Sequence, residues 1–299
     1  MIFEDCPLNL KFYIYSPMSK LVIEAGNTEK QYWKDLWLYR ELFYFLAWRD
    51  ILVRYKQTII GIAWAVLRPL LTMGVFVLVR GVAFPEQADD AVHPALVIFV
   101  AQTPWFFFAT ALSESSNSLV VNSNLVSKVY FPRLVVPASA VITSLVDFAI
   151  SLLLLAGLLA ILSFTPSANI VFLPLFTVLA FLAALGPGLL FTALNVRYRD
   201  FRYIVPFVVQ IGFFGCPIFY KISEFLESEM IQNTLGEHAL LIYSLNPMVG
   251  VINGFRWAVL GDVELYLPSI YMSIGVTLLF LFIGVKYFRS TERNFADVI

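Results

Sequence analysis

Long apolar runs alternate with short charged segments along most of this chain. At about 1.5 Å of rise per residue, six of these runs can form helices that cross a hydrocarbon layer about 30 Å thick. The six runs are Ile59–Val79, Pro94–Leu112, Pro137–Ser163, Ile170–Leu194, Phe201–Tyr220 and Pro268–Phe288. The pattern therefore predicts an all-α, polytopic membrane protein with six transmembrane helices.

Two further stretches are apolar but do not fit a simple crossing. Trp33–Gln57 mixes large aromatic and charged residues, which is typical of an amphipathic helix lying in the membrane interface, although a solvated helix on a soluble partner is the alternative. Ala239–Leu260 contains Asn246-Pro247 and Arg256, so we expect short re-entrant helices between the fifth and sixth spans rather than a seventh crossing. The predicted organisation is an N-terminal extension of unassigned role at 1–32, the interfacial helix at 33–57 and a six-span domain at 58–299.

The positions of Lys and Arg orient the spans, because basic residues are enriched in cytoplasmic loops. Alternate connections carry the basic residues Arg49, Arg54, Lys56, Lys128, Arg133, Arg197, Arg199, Arg202, Lys286, Arg289 and Arg293. The other connections carry Glu86, Asp89, Asp90, His93, Glu224, Glu227, Glu229, Glu237, Asp262 and Glu264, with an uncharged turn between the third and fourth spans. Both termini are therefore predicted to be cytoplasmic.

Composition agrees with a membrane protein and excludes several classes of function. Of the 299 residues, 60% are hydrophobic and only 14% are charged, and the net charge of −1 gives no indication of nucleic-acid binding. Cys6 and Cys216 are predicted on opposite sides of the membrane, so no disulfide is expected within one chain. His93 and His238 lack the spacing of metal ligands, so no metal site is expected.

The chain also lacks the sequence that binds ATP phosphates. A P-loop needs Lys followed by Ser or Thr, and no lysine here is followed by either residue. Any ATP that powers this protein must therefore be hydrolysed by a separate subunit, which would contact a cytoplasmic surface of this chain.

Four segments together resemble a known family. They are IGIAW with LRPL at residues 60–70, NLVSKVYFPR at 124–133, NVRYRD at 195–200 and ERNFADVI at 292–299. As a set they are similar to the ABC-2 type permeases that export O-antigen, capsule or teichoic acid chains. The resemblance extends over about Trp33–Ile299.

The resemblance implies a bacterial inner-membrane homodimer with a central channel, energised by two copies of a cytoplasmic ABC ATPase that bind ATP and Mg²⁺. The chain would move a lipid-linked polysaccharide and would need no cofactor of its own. The resemblance also implies a coupling helix after the second span, with ATPase contacts at Lys128, Tyr130, Phe131, Pro132 and Arg133, and a second contact at Arg197 and Arg199. Alternatively, these basic residues fix topology or bind anionic lipid headgroups.

Aromatic residues make up 16% of the chain and crowd the outward halves of the predicted spans. Because sugars have an apolar face that can lie on an aromatic ring, these residues are candidates for lining a glycan channel. The alternative is an interfacial belt or lipid-facing packing. The candidates are Trp105, Phe106, Phe107, Phe108, Phe213, Phe214, Phe219 and Tyr220.

Two charged residues, Arg68 and Asp147, fall well inside predicted spans at similar depth. An isolated charge near the bilayer centre costs about 2.5–3.5 kcal/mol on insertion scales, so such residues face a cavity or find a partner. We expect the two to pair with each other. Alternatively, Arg68 reaches the headgroups or a substrate pyrophosphate, and Asp147 bonds a nearby hydroxyl.

Other classes of function are less well supported. A secondary transporter would show inverted repeats with paired broken helices, and no internal repeat is present. A membrane-embedded glycan-modifying enzyme needs convergent carboxylates, whereas Glu224, Glu227 and Glu229 are spaced like one solvated helical face. An ABC-2 exporter of a small lipid or drug remains an open alternative.

Overall fold

The computed structural model describes residues 29–56, 61–83, 92–220, 242–261 and 265–295. Every regular element in these ranges is a helix. In chain order they are α1 Glu29–Leu38, α2 Arg40–Lys56, α3 Gly61–Ala83, α4 Pro94–Val121, α5 Ser123–Lys128, α6 Val135–Ile161, α7 Leu173–Arg197, α8 Phe201–Phe214, α9 Pro247–Val259 and α10 Leu267–Thr291. Short 3₁₀ turns, Ala168–Phe172 and Glu292–Asn294, precede α7 and follow α10.

Five helical stretches within the described residues are long and apolar enough to cross a membrane. They are Ala63–Val82, Pro94–Val121, Val135–Ile161, Ala168–Arg197 and Leu267–Asn294, and the shorter Phe201–Phe214 is also apolar. The all-helical, polytopic membrane architecture predicted from the sequence is confirmed.

Helix α4 is the central helix of the bundle. It packs against α3, α6, α7, α8 and α9, and every side chain from Ala95 to Trp105 is buried. A helix that is apolar on all sides can be buried in this way, because none of its faces requires water. The last spanning helix, α10, packs on α7 and α9 instead, and the helices around α4 expose apolar side chains on their outer faces.

Helices α7 and α10 cross closely at two glycines. A Cβ added at Gly284 would lie 2.2 Å from the carbonyl oxygen of Gly186, and one added at Gly186 would lie 2.6 Å from the backbone nitrogen of Leu281. Small residues allow two membrane helices to approach until their backbones touch. This contact fixes the last span against the fourth.

The second predicted span is longer than expected. Helix α4 continues to Val121, nine residues beyond the predicted end at Leu112. In its polar last turns, Asn117 donates to the Ser113 carbonyl at 3.0 Å and Ser118 donates to the Ser115 carbonyl at 2.7 Å, so these polar groups are satisfied within the helix.

The predicted interfacial helix forms two consecutive helices, α1 and α2, that meet at Tyr39. The hydrogen-bond ladder continues through the junction, from the Tyr39 N–H to the Asp35 carbonyl at 2.9 Å and from the Phe43 N–H to the Tyr39 carbonyl at 3.1 Å. Helix α2 packs along α6. It therefore contacts the spanning bundle directly through one face.

Two apolar helices, α8 and α9, are shorter than a full crossing requires. Helix α8 has 14 residues, about 21 Å, and ends at Phe214, whereas the fifth span was predicted to extend to Tyr220. Helix α9 has 13 residues and is buried against α4, α7 and α10. The rest of the predicted re-entrant region, up to residue 241, lies outside the described residues.

Candidate functional site

The segment at residues 123–133 contains α5 and the turn that leads into α6. It lies at the basic end of the bundle, defined here as the end where α4, α7 and α10 terminate. The Tyr130 side chain is 78% exposed, whereas Phe131 is only 4% exposed and belongs to an apolar cluster with Leu119, Phe288 and Phe295. Tyr130 therefore points away from the bundle, while Phe131 anchors the turn to it.

The other candidate residues of this segment divide in the same way. Lys128 is exposed, Pro132 is buried and Arg133 is partly buried. The backbone N–H of Arg133 donates to Glu292 Oε1 at 2.7 Å, and the Arg133 guanidinium donates to the Glu292 carbonyl. Of the predicted residues in this segment, Lys128 and Tyr130 are exposed to a partner, whereas Arg133 is engaged by the tail of its own chain.

The second predicted contact, at Arg197 and Arg199, lies beside the first. Asn195, 3% exposed, donates to the Ser116 carbonyl at 2.9 Å and to Asn117 Oδ1 at 3.0 Å, which ties the end of α7 to α4. Arg199 and Arg202 line a cavity of about 330 Å³ together with Ser123 at the start of α5. The two basic loops therefore form one continuous surface at the basic end.

A charged network joins α2 to α4 and α6. Arg54 Nη1 lies 2.5 Å from Asp147 Oδ2, and Arg54 Nη2 lies 2.9 Å from Glu114 Oε1. The Tyr55 hydroxyl also donates to Asp147 Oδ1. One arginine of α2 thus holds an acid of α4 and an acid of α6, which explains why a charge is tolerated inside each of these two helices.

This network replaces the predicted pair of Arg68 and Asp147, which is not formed within the described chain. Asp147 pairs with Arg54 instead, and the Arg68 guanidinium lies 5.5 Å from the centroid of the Phe106 ring. All these residues line one cavity of about 340 Å³ between α2, α3, α4 and α6. Arg68 and Asp147 therefore line the same cavity, as their similar depth suggested, but they do not pair with each other.

Comparison with known proteins identifies the family of this chain. Residues 41–260, about three quarters of the chain, match the family described as ABC-2 type transporter. The chain belongs to the ABC-2 type transporter family. It is therefore a multi-pass transport subunit, and its sequence contains no P-loop with which to hydrolyse ATP itself.

Several relatives match this ABC-2 permease over nearly their whole length. The O-antigen export system permease protein RfbA of Myxococcus xanthus is 27% identical over 89% of this chain and 98% of its own. The RfbA protein of Klebsiella pneumoniae is 25% identical over 87% of this chain and 95% of its own. The polysialic acid transport protein KpsM of Escherichia coli is 22% identical over 82% of this chain and 91% of its own.

Six of the eight aromatic candidates of the permease form one packed cluster of rings, whereas Phe107 packs on Phe148 and the Tyr220 hydroxyl hydrogen-bonds with that of Tyr243. The Phe213 ring is central: its centroid lies 5.4 Å from that of Phe76, 6.2 Å from that of Trp105 and 5.3 Å from that of Phe219. Trp105 and Phe107 are each 3% exposed, so their rings support the core rather than facing open space. Among the candidates, Phe214 is the most exposed, at 64%. Phe106, Phe108, Phe219 and Tyr220 are partly buried.

Two buried arginines at the opposite end of the bundle were not predicted as site residues. Arg256, 1% exposed, donates to the carbonyls of Tyr220 at 2.8 Å and Ile218 at 3.0 Å. Arg80, 4% exposed, donates to the Phe219 carbonyl at 3.3 Å. Three consecutive carbonyls after α8 are thereby bound to arginines of α3 and α9, and only the position of Arg256 in an apolar stretch hinted at such a role.

The titratable groups of the described ranges do not converge on a metal site. No group of three or more His, Cys, Asp or Glu residues there is placed to hold a metal ion. Cys216 is buried and accepts a hydrogen bond from Asn246 at 3.2 Å. His93 Nδ1 accepts one from the Ala95 N–H at 3.2 Å, capping α4. Both side chains have structural contacts.

Proposed function

We propose that this chain is the membrane-spanning subunit of an ABC exporter that moves a lipid-linked polysaccharide across the bacterial inner membrane. Two copies form the channel, and two copies of a separate cytoplasmic ABC ATPase supply the energy. The single observation that carries the proposal is the match to an O-antigen export permease over 89% of this chain and 98% of that protein. The similarity therefore extends over nearly the whole length of that permease and is not limited to one part of it.

The basic end of the bundle is the proposed docking surface for the ATPase. Lys128 and the 78%-exposed ring of Tyr130 project from the 123–133 segment. The exposed Arg197 ends α7 and the exposed Arg199 lies in the loop that follows it. A large aromatic side chain exposed beside basic residues is typical of an anchor that fills a pocket on a partner. We infer that Phe131, Pro132 and Arg133 support this surface from within.

We propose six crossings, with both termini in the cytoplasm. Helix α8 alone spans about 21 Å, but Arg80 near the end of α3 binds the Phe219 carbonyl. The chain after α8 therefore lies at the same level as the end of the first span, which supports a fifth crossing by α8 and residues 215–220. The buried α9 is too short to cross, in keeping with a re-entrant position between the fifth and sixth spans.

Exposed faces of the chain support the remaining parts of the proposal. Helix α2 presents large apolar side chains away from the bundle, as an interfacial helix would: Tyr44, Phe45, Trp48, Leu52 and Val53. Helix α3 presents a second apolar face for lipid or the second subunit: Trp64, Leu67, Leu71, Val75, Leu78 and Val82. The exposed Phe214 and the partly buried Phe106, Phe108, Phe213, Phe219 and Tyr220 are the remaining candidates for glycan contact in the dimer.

Removing the chain from its host tests the proposal. Without it, lipid-linked polysaccharide should accumulate on the cytoplasmic side and disappear from the cell surface, and the wild-type gene should restore export. The wild-type chain should also co-purify with an ABC ATPase at a one-to-one ratio. Normal surface polysaccharide combined with loss of a small lipid or drug from the medium would instead favour a small-molecule exporter.

A further inference from the structure

The tail that follows the last span binds the segment that precedes α6. Glu292, the first residue of the 3₁₀ turn after α10, accepts the Arg133 N–H on Oε1 at 2.7 Å. Its carbonyl also accepts a hydrogen bond from the Arg133 guanidinium. A single tail residue thus holds both the main chain and the side chain of Arg133.

Apolar packing surrounds these hydrogen bonds. Phe131, Phe288 and Phe295 are 4%, 0% and 2% exposed and belong to one cluster. The rings of Phe288 and Phe295 meet edge to face, with centroids 5.3 Å apart. Because interiors are densely packed, a rigid displacement of the 123–133 segment must move the end of α10 with it.

Helix α1 and the junction residue Tyr39 also contact these segments. The Tyr39 hydroxyl donates to the Tyr130 carbonyl at 3.4 Å, and the Arg289 guanidinium lies 4.6 Å from the centroid of the Tyr32 ring. Burial raises the pKa of the Tyr32 hydroxyl, and the nearby Glu292 carboxylate raises this pKa further. Tyr32, Arg133, Arg289 and Glu292 line one cavity of about 530 Å³ with Lys128 and Tyr130.

We propose that Glu292 is a positioning residue for energy coupling, acting through Arg133. It fixes the 123–133 segment to the end of α10, so that movement imposed on Tyr130 by the ATPase reaches the last span as well as α4 and α6. This inference rests on the proposed function. It also assigns a role to residues 292–295, the described part of the tail segment that the resemblance singled out without giving it one.

The hydrogen-bonding chemistry of Glu292 allows a test that separates geometry from charge. Glu292→Gln keeps an oxygen at the position that accepts the Arg133 N–H, whereas Glu292→Asp keeps the charge but is one carbon shorter. Glu292→Ala removes the acceptor altogether. Asn294→Ala is the matched control, because Asn294 is an exposed residue of the same 3₁₀ turn.

Each variant is expressed with the partner ATPase, and three quantities are measured. These are cell-surface polysaccharide, co-purification of the ATPase, and ATP hydrolysis by the complex in lipid nanodiscs. For Glu292→Ala and Glu292→Asp we expect the ATPase to stay bound, with export per ATP hydrolysed reduced at least about fivefold, as for loss of one intramolecular hydrogen bond. Glu292→Gln and Asn294→Ala should stay within about twofold of wild type.

The outcomes are distinct. Equal export per ATP in wild type, Glu292→Ala and Glu292→Asp would overturn the positioning role while leaving the proposed function intact. Retention of export in Glu292→Asp with loss in Glu292→Gln would also overturn it, because charge rather than reach would then matter. If Glu292→Ala fails to insert into the membrane, the comparison of Glu292→Gln with Glu292→Asp still tests the positioning role. A wild-type complex that exports no polysaccharide would remove the proposed function and this inference together.

Discussion

Arg54 Nη1 in α2 lies 2.5 Å from Asp147 Oδ2 in α6, and this ion pair ties the helix that precedes the first span to the third span. The two side chains are 24% and 29% exposed, so water weakens the attraction only in part. A helix held in this way cannot lie on the membrane surface independently of the bundle. Movement of α2 should therefore be linked to movement of α6.

Removing the charge of Asp147 tests that link. Asp147→Asn should lower the free energy of unfolding by about 1–3 kcal/mol, less than for a fully buried pair, because Arg54 keeps Glu114 as a second partner. The measurement is thermal unfolding of the detergent-purified chain. Arg68→Gln is the control, since Arg68 lines the same cavity without bonding Asp147. An equal loss in both variants would contradict the assignment of Arg54 as the partner.

Exchanging the two charges gives a second test of the same pair. Arg54→Asp and Asp147→Arg should each reduce stability and export, whereas the double exchange should restore part of both because it re-forms an opposite-charge contact. Additive losses in the double variant would argue against a direct interaction. Membrane insertion of all three variants is checked by their amount in the membrane fraction.

Tyr130 and Phe131 should behave differently although they are neighbours. Tyr130→Ala should leave thermal stability nearly unchanged and weaken co-purification of the ATPase, because the ring is 78% exposed. Phe131→Ala should destabilise the chain by about 3–5 kcal/mol, because it removes a ring that is 4% exposed. Thermal unfolding and ATPase pull-down separate the two effects. A stable Phe131→Ala chain that loses the ATPase would show that both rings serve docking.

The crossing of α7 and α10 predicts unequal effects at two glycines of the same helix. Gly284→Ala should cost about 1–3 kcal/mol of stability, since its Cβ would lie 2.2 Å from the Gly186 carbonyl oxygen. Gly275→Ala should be neutral or slightly stabilising, because a Cβ there meets no atom within 4 Å. Thermal unfolding of the two variants gives the comparison. Equal stabilities would mean that the helices separate easily at this crossing.

The proposed topology predicts which residues a membrane-impermeant thiol reagent reaches in intact cells. In a Cys6→Ser, Cys216→Ala background, Asn294→Cys should be labelled only after the membrane is opened, because the tail is predicted to be cytoplasmic. His93→Cys, at the start of α4, should be labelled from outside. Labelling of position 294 in intact cells would require an odd number of crossings and would make α9 a span.

Sequence alone predicted where the long apolar helices of the chain lie. The predicted third and sixth spans differ from α6 and α10 by three residues or fewer at each end. This accuracy has a local physical cause, because a helix in lipid must satisfy its own backbone and requires an uninterrupted apolar run. The four segments that resemble the permease family are also short stretches of sequence that can be recognised without knowledge of the fold. They were sufficient to name the family before any tertiary contact was known.

Only the tertiary structure decided which face of each helix meets protein. Counting residues along the two spans predicted Arg68 and Asp147 at the same depth in the membrane. The packing of the helices, however, places Asp147 in an ion pair with Arg54. Similarly, Trp105 and Phe107 were found buried, while Phe214 was found exposed. The physical reason is that lipid and protein interior are both apolar, so a spanning helix carries little periodic signal to distinguish its lipid face from its packed face.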